Sequence, residues 1–165
     1  MRPRPKVILI ALCVLAVSAS FAALAPAQEA PPQLACSEAA VRQMADRFIS
    51  SFNRGNTSQL DRLWSRPRFR SYSAAQARPV VRNHLVRSRS KLVGYFARRH
   101  GQGERLHLLT FKLSSRSRGH AQFEFTLQRL APDLSAGHLL SYQGTGVVSC
   151  ETVTNPLAAW TMSQS

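Results

Sequence analysis

The sequence predicts an exported α+β domain, on three observations. An apolar N-terminal run ends in a small-residue cleavage pattern. One strongly amphipathic helix opens the remainder of the chain. Beyond about residue 104 the hydrophobic period changes from helical to two. Helices first and strands after imply an antiparallel sheet of about four strands with helices packed on one face.

Arg2, Arg4 and Lys6 precede an apolar stretch from Val7 to Phe21, and Ala25-Pro26-Ala27 supplies an A-x-A cleavage pattern. Residues 1–27 therefore read as a signal peptide, too short and too soon followed by prolines for a membrane span. Residues 28–36 read as a flexible lead-in, and residues 37–163 as a single domain. The expected destination is secreted, periplasmic or cell-envelope. Cleavage leaves 138 of the 165 residues, enough for one core. It removes Cys13 and leaves Cys36 and Cys150, 114 positions apart. In an oxidising compartment two such cysteines are expected to pair, the alternative being two buried thiols.

The mature chain carries 19 Lys and Arg against 8 Asp and Glu, a net charge of +11. Between Arg62 and Arg118 stand 15 cations and one acid, Glu104. Arg62, Arg66, Arg68, Arg70, Arg116 and Arg118 are the candidate basic surface, suited to a polyanion. The alternative is an Arg-biased solvated surface. Trp64 and Phe69 among arginines also raise base stacking. The apolar pattern, however, wants Leu63 and Trp64 in the core, and export argues against nucleic acid.

Ser37 is the expected N-cap of the first helix, with Glu38 in its first turn. Val41, Met44, Ala45, Phe48, Ile49 and Phe52 form its apolar stripe, and Gly55 ends it. Thr57 is placed to open a short helix bearing Leu60, Leu63 and Trp64. Residues 68–73 suggest a short strand, and 74–87 fit either period. Ser88 opens a third helix ending at Gly101. Residues 104–113 read as a strand with Leu109, Phe111 and Leu113 on one face. The polar stretch 114–119 reads as a hairpin loop. Residues 120–130 alternate, with Ala121, Phe123, Phe125 and Leu127 inward. Strands over 139–151 and 157–163 complete the set, with Pro132-Asp133 and Asn155-Pro156 at the turns. Gly144-Thr145-Gly146 reads as a bulge rather than a phosphate loop.

The order of these elements resembles the nuclear transport factor 2-like superfamily, which includes ketosteroid isomerase-type enzymes. The likeness is carried by Phe48-Ile49-Ser50-Ser51-Phe52-Asn53-Arg54-Gly55-Asn56, the Leu60/Leu63/Trp64 helix, Leu92-Val93-Gly94-Tyr95-Phe96, Gly103-Glu104-Arg105-Leu106 and the last apolar strand. It implies a curved sheet wrapped around a long helix as a cone, often with a pocket at the open end. The same fold serves enzymes, binding modules and dimerisation domains.

The isomerase-type members use an Asp or Glu base with Tyr or protonated Asp donors in an apolar pocket. No tyrosine stands on the first helix's stripe, Asp46 lies off it, Asp61 sits on the short helix, Asp133 falls in a turn and Glu124 points outward. No catalytic residue is therefore assigned. The five histidines form no ligand pair, so neither metal nor cofactor is expected. Arg105 and His107 share a strand parity and, if that face lines a pocket, are the candidate receivers of an anionic ligand. The alternative is ordinary sheet-end residues. The leading expectation is a non-catalytic domain binding a small molecule or protein through the cone mouth or sheet face, homodimerisation included. An isomerase or dehydratase with an unfamiliar site around His107 or Glu124 is the runner-up. A cationic binder of envelope or extracellular polyanions is the third reading.

Overall fold

The computed structural model describes residues 36–76, 82–117, 119–151 and 157–165. The stretch read as a signal peptide, most of the lead-in, Arg118 and the Asn155-Pro156 turn lie outside the described residues. The element order is α1 (Glu38–Asn53), α2 (Thr57–Leu63), β1 (Ser71–Gln76), β2 (Arg82–Val86), α3 (Arg89–Gly101), β3 (Arg105–Ser117), β4 (His120–Leu130), α4 (Pro132–Ser135), β5 (Leu139–Ser149) and β6 (Leu157–Gln164).

Six strands, not four, form one sheet in the order β2-β1-β6-β5-β4-β3. The sheet is mixed: β1 pairs in parallel with β6, and every other neighbour is antiparallel. The hairpin between β3 and β4 is also tighter than expected. Ser114 to Ser117 continue the strand, and Gly119 turns the chain at a φ of 87° that suits glycine.

Helix α1 forms where its stripe predicts. Ser37 accepts from the Ala40 amide, and Val41, Met44, Ala45, Phe48, Ile49 and Phe52 are buried. Gly55, at a φ of 66°, follows its C-cap. Asn56, one residue before the expected Thr57, caps α2 by accepting from the Gln59 amide. Asn53 fastens α1 to the sheet edge. Its Nδ2 donates to the Leu106 carbonyl at 2.7 Å, and the Leu106 amide donates to its Oδ1 at 2.9 Å.

The space between helices and sheet is filled by aromatic rings. Phe48 contacts Phe52, Trp64, Phe96 and Trp160, with ring centroids 4.8–6.5 Å apart. Phe125 stacks on Trp160 at 4.1 Å, and Phe123 stacks on Phe111 at 5.2 Å. Gly144 and Gly146 make room for this packing. Phe125 pairs with Gly144 and Phe123 with Gly146, and a Cβ at either glycine would overlap the facing ring. The glycines are thus platforms for aromatics rather than the expected bulge. The register shift lies one step on, at Val147/Val148 against β6.

A second irregularity corrects the β3 reading. The pairing with β4 slips between Leu108 and Thr110. One extra residue reverses side-chain parity. Leu106 is buried ahead of the slip and Phe111 and Leu113 pack on the core behind it, while Leu109 is 45% exposed. Arg105, His107 and Leu109 therefore do not share the face of Phe111.

Cys36 and Cys150 form the disulfide that joins the start of α1 to the end of β5, with Cα atoms 5.7 Å apart.

Candidate functional site

The interior holds three buried charges, Glu104, Arg129 and Arg99, joined at the surface by Asp133. Glu104 is fully buried, Arg129 is 1% exposed and Arg99 is 4% exposed. Ionised groups so buried persist only when paired and hydrogen-bonded. Arg129 Nε and Nη2 donate to the two Glu104 carboxylate oxygens at 2.8 and 3.0 Å. Arg99 Nε donates to Glu104 Oε2 as well. The other edge of Arg99 grips Asp133 at 2.7 and 3.0 Å and the Gln102 side-chain carbonyl at 2.7 Å. Arg129 also donates to the Tyr142 hydroxyl at 3.2 Å, with its guanidinium 5.1 Å from the Tyr142 ring centre.

Local chain structure sets these positions. Arg99 is in the last turn of α3. Gly103, at a φ of 82°, reverses the chain so that the Glu104 amide returns to the Arg99 carbonyl at 3.0 Å. Arg129 continues the inward parity of Phe123, Phe125 and Leu127 on β4. Pro132 opens α4 and leaves Asp133 in its first turn.

Burial alone would lower the pKa of the Arg129 guanidinium, but the hydrogen bonds and charge of Glu104 raise it above the ordinary arginine range. For Arg99, Asp133 and Glu104 likewise outweigh burial, and its pKa is raised. Burial, with Glu104 adding to it, pushes the Tyr95 phenol up to about 12. Burial and the neighbouring Tyr95 raise Tyr72 well above the usual phenol value. Both phenols stay protonated at neutral pH. Both Glu104 carboxylate oxygens accept from guanidinium groups.

Asp133 supplies a pH signature. The hydrogen bonds from Arg99 hold its carboxyl pKa below the usual value. A lowered folded pKa stabilises the fold above the unfolded value, about 4, and that stabilisation is lost as pH falls through the lower folded value. Asp133 is partly exposed, so the effect is modest. Asp133→Asn is expected to flatten the fall in melting temperature between about pH 4 and 2. An acid limb identical to the parent's would contradict the pairing.

Arg105 and His107 stand outside this cluster, both exposed. The Arg105 guanidinium lies over the Glu104 carbonyl at 2.7 Å, beside His100. His107 borders a shallow cleft between α1 and β3 that Asp46 also lines. Glu124 is exposed on the open sheet face, as its parity predicts.

The basic stretch is partly compensated. Arg66 is 3.5 Å from Asp61, Arg89 pairs with the same carboxylate at 2.6 Å, and Arg68 pairs with Glu151. Arg70 and Arg116 are exposed, as is Arg62. Trp64 is buried and cannot stack on a base. Among the described residues no three His, Cys, Asp or Glu side chains are grouped to hold a metal. No helix there is long and apolar enough to cross a membrane.

No family model and no curated protein matches the chain. Solved structures do. An uncharacterised cystatin-like protein from Caulobacter vibrioides superposes with a TM-score of 0.60 at 12% identity, over 76% of this chain and 87% of that one. A candidate dehydratase of the nuclear transport factor 2-like family from Streptomyces avermitilis gives 0.59 at 16% identity, over 76% and 93%. A candidate calcium/calmodulin-dependent protein kinase type II association domain from Thiobacillus denitrificans gives 0.50 at 15% identity, over 75% and 94%. At such identities the likeness shows the fold alone. The α+β architecture around α1 is the nuclear transport factor 2-like, or cystatin-like, fold.

Proposed function

We propose that this chain is an exported, non-catalytic binding domain that associates through the open face of its sheet. The observation that carries the reading is the state of Glu104. Glu104, a fully buried acid, is held by Arg129 and Arg99, and aromatic rings pack the space between helices and sheet. A general base needs a carboxylate free to take a proton beside a bound substrate. Interactions with other molecules then fall to the outer surfaces.

The open face of β3 to β6 suits a second copy of the chain. Lys112, Glu124, Thr145 and Thr161 form one row across four paired strands, and Thr110, Thr126, Gln143 and Ser163 form the next. These rows line a shallow trough of about 640 Å³. Their one cation and one anion cancel, so the patch adds no net charge of its own to the contact between two highly basic molecules. Low charge at its centre is the usual composition of a protein interface. In a two-fold pair the same patch serves both partners.

Sedimentation equilibrium of the mature, oxidised protein is expected to show a reversible dimer that Thr145→Arg converts to a monomer with an unchanged far-ultraviolet circular dichroism spectrum. A parent monomeric at every concentration, or a dimer indifferent to Thr145→Arg, would contradict this use of the face. The other neighbour type, a dehydratase, keeps an enzymatic alternative in view for the exposed His107 or Glu124. Turnover by the purified domain that either substitution abolishes would favour it.

A further inference from the structure

A second surface, separate from the open sheet face, has a different chemistry. Between the end of β2 and the outward side of α3 runs a groove of about 950 Å³, bordered by Leu85, Val86, Arg87, Lys91, Gly94 and Arg98, with Tyr95 as part of its wall. Leu85 is 45% exposed although it is a large apolar side chain. Arg87, Lys91 and Arg98 are exposed, and among the described residues no carboxylate lines the groove or pairs with any of the three. Lys91, Gly94 and Arg98 recur at i, i+3 and i+7, which puts two cations on one side of α3 with a bare backbone between them. Arg98 lies over the Tyr95 ring, 5.6 Å from its centre, so cationic and apolar surface are contiguous.

Gly94 is the telling residue. Glycine inside a helix costs about 1 kcal/mol relative to alanine. Here neither a positive φ nor crowding requires it, since a Cβ added at Gly94 meets nothing within 4 Å. The missing side chain leaves the helix backbone open to the groove. Its volume falls in the range of roughly 300–1,000 Å³ common to small-molecule sites.

We infer that this groove binds an amphiphilic anion of single-chain lipid size, its acidic head between Arg87, Lys91 and Arg98 and its apolar body along Leu85, Val86 and the Tyr95 wall. Charge selects the head, because three cations border the groove and, among the described residues, no acid lines it. The exposed leucine and the uncovered helix backbone accept the chain. The occupant argued for is the free monomer, a long-chain carboxylate, rather than a bilayer surface. The inference is independent of sheet-face association.

Titration calorimetry of the mature domain with sodium laurate below its micelle concentration tests it. Saturable binding of about one laurate per chain is expected, and dodecyltrimethylammonium, with the same tail and opposite charge, is expected not to bind. Gly94→Leu fills the groove without a clash at Cβ, and is expected to weaken laurate binding about tenfold or more without lowering the melting temperature. Lys91→Glu with Arg98→Glu should weaken it at least as much, as loss of charge-assisted contacts requires. Equal binding of the cationic surfactant, a Gly94→Leu variant that binds laurate like the parent, or absence of saturable binding would overturn the proposal. So would binding confined to vesicles containing phosphatidylglycerol, which would make the patch a membrane-surface contact.

Discussion

Glu104→Gln is expected to destabilise the fold by about 3–5 kcal/mol, because it removes the anion that two buried arginines share. Arg129 is nearly inaccessible to water, and its remaining partner is the neutral hydroxyl of Tyr142. Arg99 keeps Asp133, so the loss falls chiefly on Arg129. Glutamine has nearly the shape of glutamate, which isolates charge from packing. Urea unfolding at pH 7 reads the difference as a shifted midpoint at unchanged slope. The double replacement Glu104→Leu with Arg129→Met tests the cause. It exchanges the pair for apolar groups and should cost far less than the single change, since a buried pair contributes little net stability while a half-pair is costly. A glutamine variant as stable as the parent would contradict the shared ion pair.

Removing the Cys36–Cys150 bridge is expected to cost a comparable amount. The disulfide closes a separation of 114 residues. In the chain-entropy account such a loop restricts the unfolded ensemble by about 4–5 kcal/mol. The bridge also ties the residue before the α1 N-cap to the end of β5, where the Cys150 amide donates to the Gly119 carbonyl at 2.9 Å. Cys36→Ser with Cys150→Ser should therefore unfold at markedly lower urea. The parent treated with reductant should match it. A variant as stable as the oxidised parent would show that the unfolded chain gains little freedom from the cut. For a domain near the usual 5–15 kcal/mol of stability, either change removes a large fraction.

How much of this is legible in the sequence depends on how local each signal is. The α1 stripe, the α3 start at Ser88 and the β4 alternation are set by neighbours a few residues apart, and each lies where the periodicity puts it. Strands β1 and β2 are not so marked. Ser71-Tyr72-Ser73-Ala74-Ala75-Gln76 has weak β character, and its parallel partner β6 comes more than 80 residues later. Tertiary pairing, not local preference, makes it a strand. The parity reversal on β3 comes from the slip at Leu108/Thr110, which no composition announces.

The charge cluster is half visible. Glu104 is the one acid among the cations from Arg62 to Arg118. Extending the β4 alternation by one step puts Arg129 on the buried side. A charge on a buried parity demands a partner. What the sequence withholds is their meeting, since Glu104 and Arg129 are 25 residues apart and join only through the β3–β4 pairing and the Gly103 turn. The groove beside α3 is hidden for another reason. Gly94 stands in a stretch that carries the family likeness, and only the absence of neighbours around it shows that it leaves space.

On the proposed reading, the interior around Glu104 does no acid–base chemistry. Deuterium exchange at carbons next to the carbonyl of cyclic ketones, measured by NMR with purified residues 28–165, probes that interior for acid–base chemistry. No exchange above buffer is expected for the parent, and none for Tyr72→Phe or Tyr95→Phe. Exchange catalysed by the parent and abolished by Tyr72→Phe, with that variant still folded, would place a working acid–base site inside the fold and overturn the non-catalytic reading.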